Sequence, residues 1–477
     1  MTIGISFAAA ADGTRSTTTA GRGIVADALR AADPVGARAV ANETAWRSRY
    51  LQHFRRLVEA GVDSPAAWLA IADAGLQSVH RHLSADDAPL ADVLTAPAGR
   101  RLATVEVAGS AEPSTELALP YHGRSLRGQQ LRDHLAGWVD QGVLEPSAAV
   151  AVGEVIDHPE WLALAGHTVV VLGAGAEMGP VGPLLGWGAR VAAVDLPRPG
   201  VWERLIRLAR DGAGTLLVPA DSVEPTNLAG ADLLTEVPEI AGWLAGLDGR
   251  LVLGNYLYAD GGTHVRLSVA ADLLGTRVAG DRPDTALAFL ATPTDVFVVP
   301  RAAVEQSTRA YTGRSGTAKV LGRPLRWVTR GRLMHRAYPP DADPGIADAL
   351  VPAQGPNYVL AKRIQRWRAA SARADGRLVS FHVAPSTRTQ SVIKNRALAA
   401  AYAGARRFGV EIFEPDTANT LMAALLVRDL AGPPSRHEHP WQDEAHAAVH
   451  GGLWRCAYEP RSMLGLAAVL GYAASRR

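Results

Sequence analysis

The most constraining feature of the chain begins at Gly166. There the sequence becomes a run of apolar, largely β-branched residues, HTVVVL (167–172), and then breaks into GAGAEMG (173–179). A short uninterrupted apolar run suits a strand buried on both faces, and such strands belong to parallel sheets covered by helices. Similar runs follow: RVAAVDL, TLLVPAD, ADLLTE, RLVLGNYLY, LAFLATPTDVFVVP and RLVSFHVAP. Helical stretches such as VWERLIRLARDG lie between several of them. This alternation predicts an α/β fold built on a parallel sheet flanked by helices.

The 477 residues divide around that core. Residues 1–160 read as a mainly helical N-terminal region, residues 161–430 as the sheet domain, and residues 431–477 as a short C-terminal extension or lid. Within the first region, residues 1–36 are rich in small residues and are expected to include a mobile arm. Asp63-Ser64-Pro65 is a helix start, because a serine N-cap accepts orphan amides and proline fits the first turn. RRLATVEVAG is an isolated strand candidate. The apolar stretch Met463–Ala474 is too short to span a membrane and is expected to be a docking helix.

Composition narrows the function. A net charge of +2 provides no electrostatic pull toward nucleic acid. The single cysteine, Cys456, excludes an intrachain disulfide and a cysteine-ligated zinc site, and points to a reducing, cytoplasmic setting. No apolar stretch reaches the ~20 residues of a membrane span, and the start lacks the basic and apolar regions of a secretory leader. His437, His439, His446 and His450 crowd the tail, but without a metalloprotease motif they are expected to line a substrate or the surface, with no metal.

The glycine turn carries the first chemistry. Gly173, Gly175 and Gly179 after a buried strand let a backbone approach a pyrophosphate at the start of the next helix. Asp195 ends the second strand, 22 residues after Gly173. A carboxylate there accepts from both hydroxyls of an adenosine ribose. Asp221 ends the third strand and is a candidate adenine contact. A dehydrogenase binding a dinucleotide and a methyltransferase binding S-adenosylmethionine both suit this half.

The second half adds Tyr358-Val-Leu-Ala-Lys362, a tyrosine and a lysine on one helix face. An ammonium beside a phenol lowers its pKa and prepares it for proton transfer. The next strand ends in Ala-Pro-Ser-Thr (384–387). In this order of elements, residues 166–395 resemble the short-chain dehydrogenase/reductase superfamily. The resemblance implies a Rossmann-type sheet binding NAD or NADP. It makes Gly173, Gly175 and Gly179 the phosphate turn and Asp195 and Asp221 the adenosine-side acids. Tyr358 and Lys362 become the catalytic pair, with Pro385, Ser386 and Thr387 as the nicotinamide-side loop.

The chain departs from that pattern in four places. Glu177 replaces the middle glycine, Ser386 replaces a glycine, about 100 residues separate RLVLGNYLY from Tyr358, and no serine lies about a dozen residues before Tyr358. Enoyl-thioester reductases of the superfamily carry a tyrosine where others have that serine, and Tyr256 in GNYLYADGG is similarly placed. The implied activity is hydride transfer to or from a carbonyl, alcohol or activated alkene of a small, partly hydrophobic molecule. An S-adenosylmethionine methyltransferase and a catalytically silent nucleotide-binding relative stay open, as does a homo-oligomer. Arg363, Arg366 and Arg368 are expected to form a solvated helix face.

Overall fold

The computed structural model describes residues 4–222, 229–314 and 333–472. The N-terminal part supplies α1 (Thr17–Leu29), α2 (Pro34–Ala41), α3 (Trp46–Glu59), α4 (Pro65–His82), β1 (Ala103–Ala108), α5 (Gly128–Gln141) and α6 (Pro146–Asp157). The next part alternates strictly: β2 (His167–Leu172), α7 (Val181–Gly186), β3 (Arg190–Val194), α8 (Pro199–Asp211), β4 (Thr215–Ala220), α9 (Val237–Ala245), β5 (Arg250–Asn255) and α10 (Gly262–Asp281). Then come β6 (Ala286–Ala291), α11 (Arg301–Thr312), α12 (Pro356–Ala374), β7 (Val379–Val383), α13 (Arg396–Ala405), α14 (Pro415–Ala431) and α15 (Pro460–Gly471).

Seven strands form one sheet in the order β7-β6-β5-β2-β3-β4-β1. Neighbours from β7 to β4 are parallel, and β1 closes the far edge antiparallel to β4. From β2 the chain first winds outward through β3 and β4. It then returns to β5 on the other side of β2 and winds outward again through β6 and β7. This is the doubly wound Rossmann-type arrangement, and its crevice lies where β2 and β5 diverge, at their C-terminal ends.

The strands are apolar on both faces, with period-two alternation assigning each residue to one core. Val170 and Leu172 pack with α1, α3, α4, α9, α10 and α12, through residues such as Phe54, Val269 and Ile364. Val169 and Val171 pack with α5, α6, α7, α8 and α14, through residues such as Leu131, Leu184 and Leu425. The N-terminal helices therefore cover both faces of the sheet. Among the described residues, no helix is long and apolar enough to cross a membrane.

Ser64 caps α4 as its sequence implied, its hydroxyl accepting from the Ala67 amide at 3.2 Å. Several other expectations are corrected. Residues 17–29 are not a loose arm: Ser16 caps α1, which buries Ile24, Val25 and Leu29. ADLLTE is a turn, because the Asp232 carboxylate accepts from the Leu234 amide at 2.9 Å and diverts the backbone. LAFLATPTDVFVVP is two strands in different sheets, β6 and the hairpin strand Val296–Val299, separated at Thr292-Pro293-Thr294. The docking helix expected over Met463–Ala474, by contrast, is present: Met463 to Gly471 is helical and packs against α13, while Ala473 and Ala474 lie outside the described residues.

The arginine run is likewise not solvated. Arg363 and Arg366 are 3% and 2% exposed. Asp295 accepts from Arg363 Nη2 at 3.0 Å and from Arg366 Nη1 at 2.9 Å, while Arg366 forks onto Glu444 at 2.9 and 2.5 Å. Arg368 pairs with Asp272 at 2.5 Å. These partners come from distant segments that no local pattern connects to α12. Arg366→Met would leave Glu444 and part of Asp295 buried without a counter-charge. It is expected to destabilise the protein by about 3–5 kcal/mol in urea unfolding.

Candidate functional site at the strand ends

A cavity of about 690 Å³ opens along the C-terminal ends of β2, β5, β6 and β7. That volume lies within the range of small-molecule sites. Its lining gathers Tyr256, Tyr358, Lys362, Pro385 and Thr387, which are up to 131 positions apart in the sequence. It also reaches Ala176, Glu177 and Met178 of the glycine turn. Gly173, Gly175, Gly179, Asp195 and Asp221 are not in its wall.

The glycine turn is shaped from within. Gly173 has φ +80°, and a Cβ there would approach the Leu257 backbone to 3.1 Å. A Cβ on Gly175 would come within 2.7 Å of Val201 and 3.0 Å of the Asp195 carboxylate. Asp195 accepts from the Gly175 amide at 2.7 Å and from the Leu196 amide at 2.8 Å. Its carboxylate thus holds the turn itself. Asp221 is ion-paired with Arg100, which also donates to Glu236.

Asn419 on α14 holds the turn from outside. Its side-chain oxygen accepts from the Gly179 amide at 3.0 Å, and its nitrogen donates to the Glu177 carbonyl at 2.9 Å. The Glu177 carboxylate accepts from the Gln390 amide at 2.7 Å, joining the turn to the segment after β7. Helix α7 is only six residues long.

Tyr358 lies in the first turn of α12. Its phenol is raised well above the ordinary tyrosine range by burial, which the Thr292 hydroxyl partly offsets. Lys362, one turn on, donates from Nζ to the Leu290 carbonyl at 3.1 Å and to Gln365 Oε1 at 3.2 Å. Burial lowers this amine to about 8, against the pull of Asp295. The expected lowering of the phenol pKa by the lysine is therefore corrected. Lys362 directs its amine to the β6 backbone, and desolvation dominates Tyr358.

Tyr256, immediately after β5, is 7% exposed, and burial raises its phenol strongly. Thr387 turns its hydroxyl onto the Pro385 carbonyl at 2.9 Å. Pro385 and Ser386 lie in the irregular segment beyond β7. In the tail, His450 and Arg455 pair with buried Glu145, at 3.0 and 2.6 Å respectively. His439 faces the Gly61 carbonyl at 3.2 Å, and His446 faces Ser435 at 3.2 Å. Among the described residues, no group of three or more metal-binding side chains converges.

The structure adds residues that sequence reasoning missed. Thr292 is the hydroxyl residue beside Tyr358, at the end of β6; reading its strand onward through Thr294 concealed it. His264, at the start of α10, is fully buried, and its ring lies 5.3 Å from that of Tyr358. Burial and the nearby Lys362 charge hold it neutral, with a pKa of about 3. Asn255, Ser268 and Gln365 form a polar strip behind Lys362, with Gln365 donating at 3.5 and 3.3 Å. Their types carry no signal until β5, α10 and α12 are assembled.

No family model matches the chain, and no curated protein is similar to it in sequence. Among solved structures, it is similar to a thiolation-reductase di-domain from an archaeal non-ribosomal peptide synthetase. Identity is 13% and the TM-score 0.28, over 54% of this chain and 52% of that one. The chain therefore spans about half the length of that structure. A likeness of this degree assigns neither family nor activity.

Lys362 generates a pH test. Its folded pKa of about 8 lies below the ordinary 10.5, so the unfolded chain holds more protons between those values. Its contribution makes the folded state gain stability as pH rises through that window. Lys362→Met removes this dependence. The difference in unfolding free energy between the two proteins should shift with pH in that window. A constant difference would show that the amine titrates normally.

Proposed function

We propose that the protein is an NAD(P)-dependent oxidoreductase acting on a carbonyl, alcohol or activated alkene. The observation that carries this reading is the convergence of Tyr358, Lys362 and Thr292 on one cavity at the crevice of a doubly wound sheet. Dinucleotides bind such folds at that crevice. Ala176 to Met178 and Asp195 would hold the pyrophosphate and adenosine side, and Lys362 and Thr387 the nicotinamide side. A bound nicotinamide supplies or takes up a hydride.

The chain's own residues handle the proton. Because burial keeps the Tyr358 phenol protonated, it acts as an acid in the reductive direction. Its O–H bond breaks as the substrate oxygen gains the proton, and Thr292 donates a hydrogen bond to the resulting phenolate. Lys362, lowered by burial to about 8 and still mostly ammonium at neutral pH, stabilises that negative charge. Reprotonation from solvent through the cavity restores the phenol.

A second reading, a catalytically silent nucleotide-binding relative, is favoured by one observation. Glu177 and Asn419 occupy the turn where a pyrophosphate needs free amides and no like charge. Thermal-shift titration with NADH, NADPH and S-adenosylmethionine identifies the cofactor class, because a ligand raises the melting temperature by mass action, and turnover then separates an enzyme from a silent relative. The oxidoreductase reading expects a shift with a nicotinamide cofactor. It also expects Glu177→Gly to tighten that binding by at least about threefold, since it removes a like-charge contact. Stabilisation by S-adenosylmethionine alone would overturn it.

Catalysis is tested at Tyr358. Tyr358→Phe is expected to lower turnover by ~10²–10⁴-fold with cofactor affinity unchanged. Full activity in that variant would remove the phenol from the mechanism.

A further inference from the structure

The cavity is chemically divided. Its charged lining residues are Glu177, Asp260 and Lys362, all on the segments at the strand ends or the start of α12. Another part of the wall comes from α13, α15 and the loops around Phe408–Ile412 and Leu453–Tyr458. It presents hydrocarbon from residues such as Leu398, Ala401, Ile412, Leu453, Met463 and Ala467.

Several polar atoms in that wall already have partners. The Tyr458 hydroxyl accepts from Arg314 at 2.9 Å, and the Tyr402 phenol pairs with Ser386. Asn395 caps α13 through the Leu398 amide at 3.2 Å. Burial pushes the Cys456 thiol up to about 11, and its Sγ donates to the Tyr458 carbonyl at 3.1 Å. The thiol stays protonated and behaves as a small apolar group.

The wall is also fixed in shape. A Cβ on Gly404 would lie 2.0 Å from the Ala467 carbonyl, and one on Gly471 would lie 2.0 Å from the Ala400 carbonyl. Helices α13 and α15 therefore pack backbone against backbone.

We infer that this half of the cavity takes the aliphatic chain of a substrate whose oxygen function lies at Tyr358, Thr292 and Lys362. The inference deepens the oxidoreductase reading and rests on it for the placement of the oxygen. The chain site itself rests on the lining alone. A charged or strongly polar tail would lose its water there and find few partners and no counter-charge, whereas each methylene leaving water gains.

Cys456, the only cysteine, reports on occupancy without any turnover. The full chain, with no cofactor added, is treated at pH 9 with excess iodoacetamide, which consumes the small thiolate fraction, in the presence of 1-butanol, 1-octanol, 1-dodecanol or cyclododecanol. The adduct is followed by intact mass. Linear alcohols should slow alkylation with an affinity that rises about three- to fourfold per added methylene. Cyclododecanol, with the same carbon count folded into a ring, should protect less than 1-dodecanol. Met463→Trp, which fills the wall, should abolish protection by the long alcohols. Met463→Ala, which enlarges it, should keep it.

Equal protection by butanol and dodecanol, stronger protection by the ring, or full protection in Met463→Trp would each overturn the chain site. Chain-length-dependent protection without NAD(P)H binding would overturn the oxidoreductase reading and support the chain site. NAD(P)H binding with chain-independent protection would do the reverse.

Discussion

Arg366 holds the molecule's chemistry in place. It is one of the largest fully buried side chains, and it bridges Asp295 beyond β6 to Glu444 in the C-terminal extension. Its guanidinium also lies 4.1 Å from the centre of the Phe297 ring. Tyr358, Lys362 and Arg366 are spaced four residues apart and share one stripe of α12. Turning the helix by one residue, about 100°, would remove Arg366 from both carboxylates. The buried ion network therefore fixes the rotation of the helix that presents the phenol and the amine to the cavity. Its value lies in that specificity, because a buried ion pair yields little net stability over apolar residues of the same volume.

The same economy of fixed geometry appears at the glycine turn. Asp195 and Asn419 satisfy its amides from opposite sides, and Glu177 ties it to the segment after β7. Buried or half-buried amides without partners would destabilise the fold, so the protein supplies them. A phosphate ligand competes with those same partners. The turn is thus held by two carboxylates, Asp195 from within and Glu177 through the Gln390 amide, and by the Asn419 amide.

The parallel sheet was readable from the sequence because strands buried on both faces are continuous apolar runs, as in HTVVVL and RVAAV. The glycine turn and the Tyr358–Lys362 spacing are local patterns and could be found the same way. What was unreadable depends on pairing across distance. Arg363 and Arg366 resemble a surface stripe until Asp295 and Glu444 are folded against them. Thr292 is one threonine among many until β6 ends beside α12. Asp232 turned an apolar run into a corner through a single side-chain bond, which outweighed the run's strand propensity.

Protonation at neutral pH describes the site further. Tyr358 and His264 are both neutral, each held so by burial, and Lys362, lowered by burial to about 8, is still mostly ammonium. The permanent charges nearby, on Asp295 and its two arginines, are directed at each other. The charged side chains in the cavity wall are Glu177, Asp260 and Lys362, and of these only Lys362 shares α12 with Tyr358. When negative charge develops on an oxygen beside Tyr358, protonated Lys362 becomes more favourable, and the low dielectric strengthens that response. Under the proposed reading, the ammonium would gain its strongest interaction as negative charge appears on an oxygen beside Tyr358.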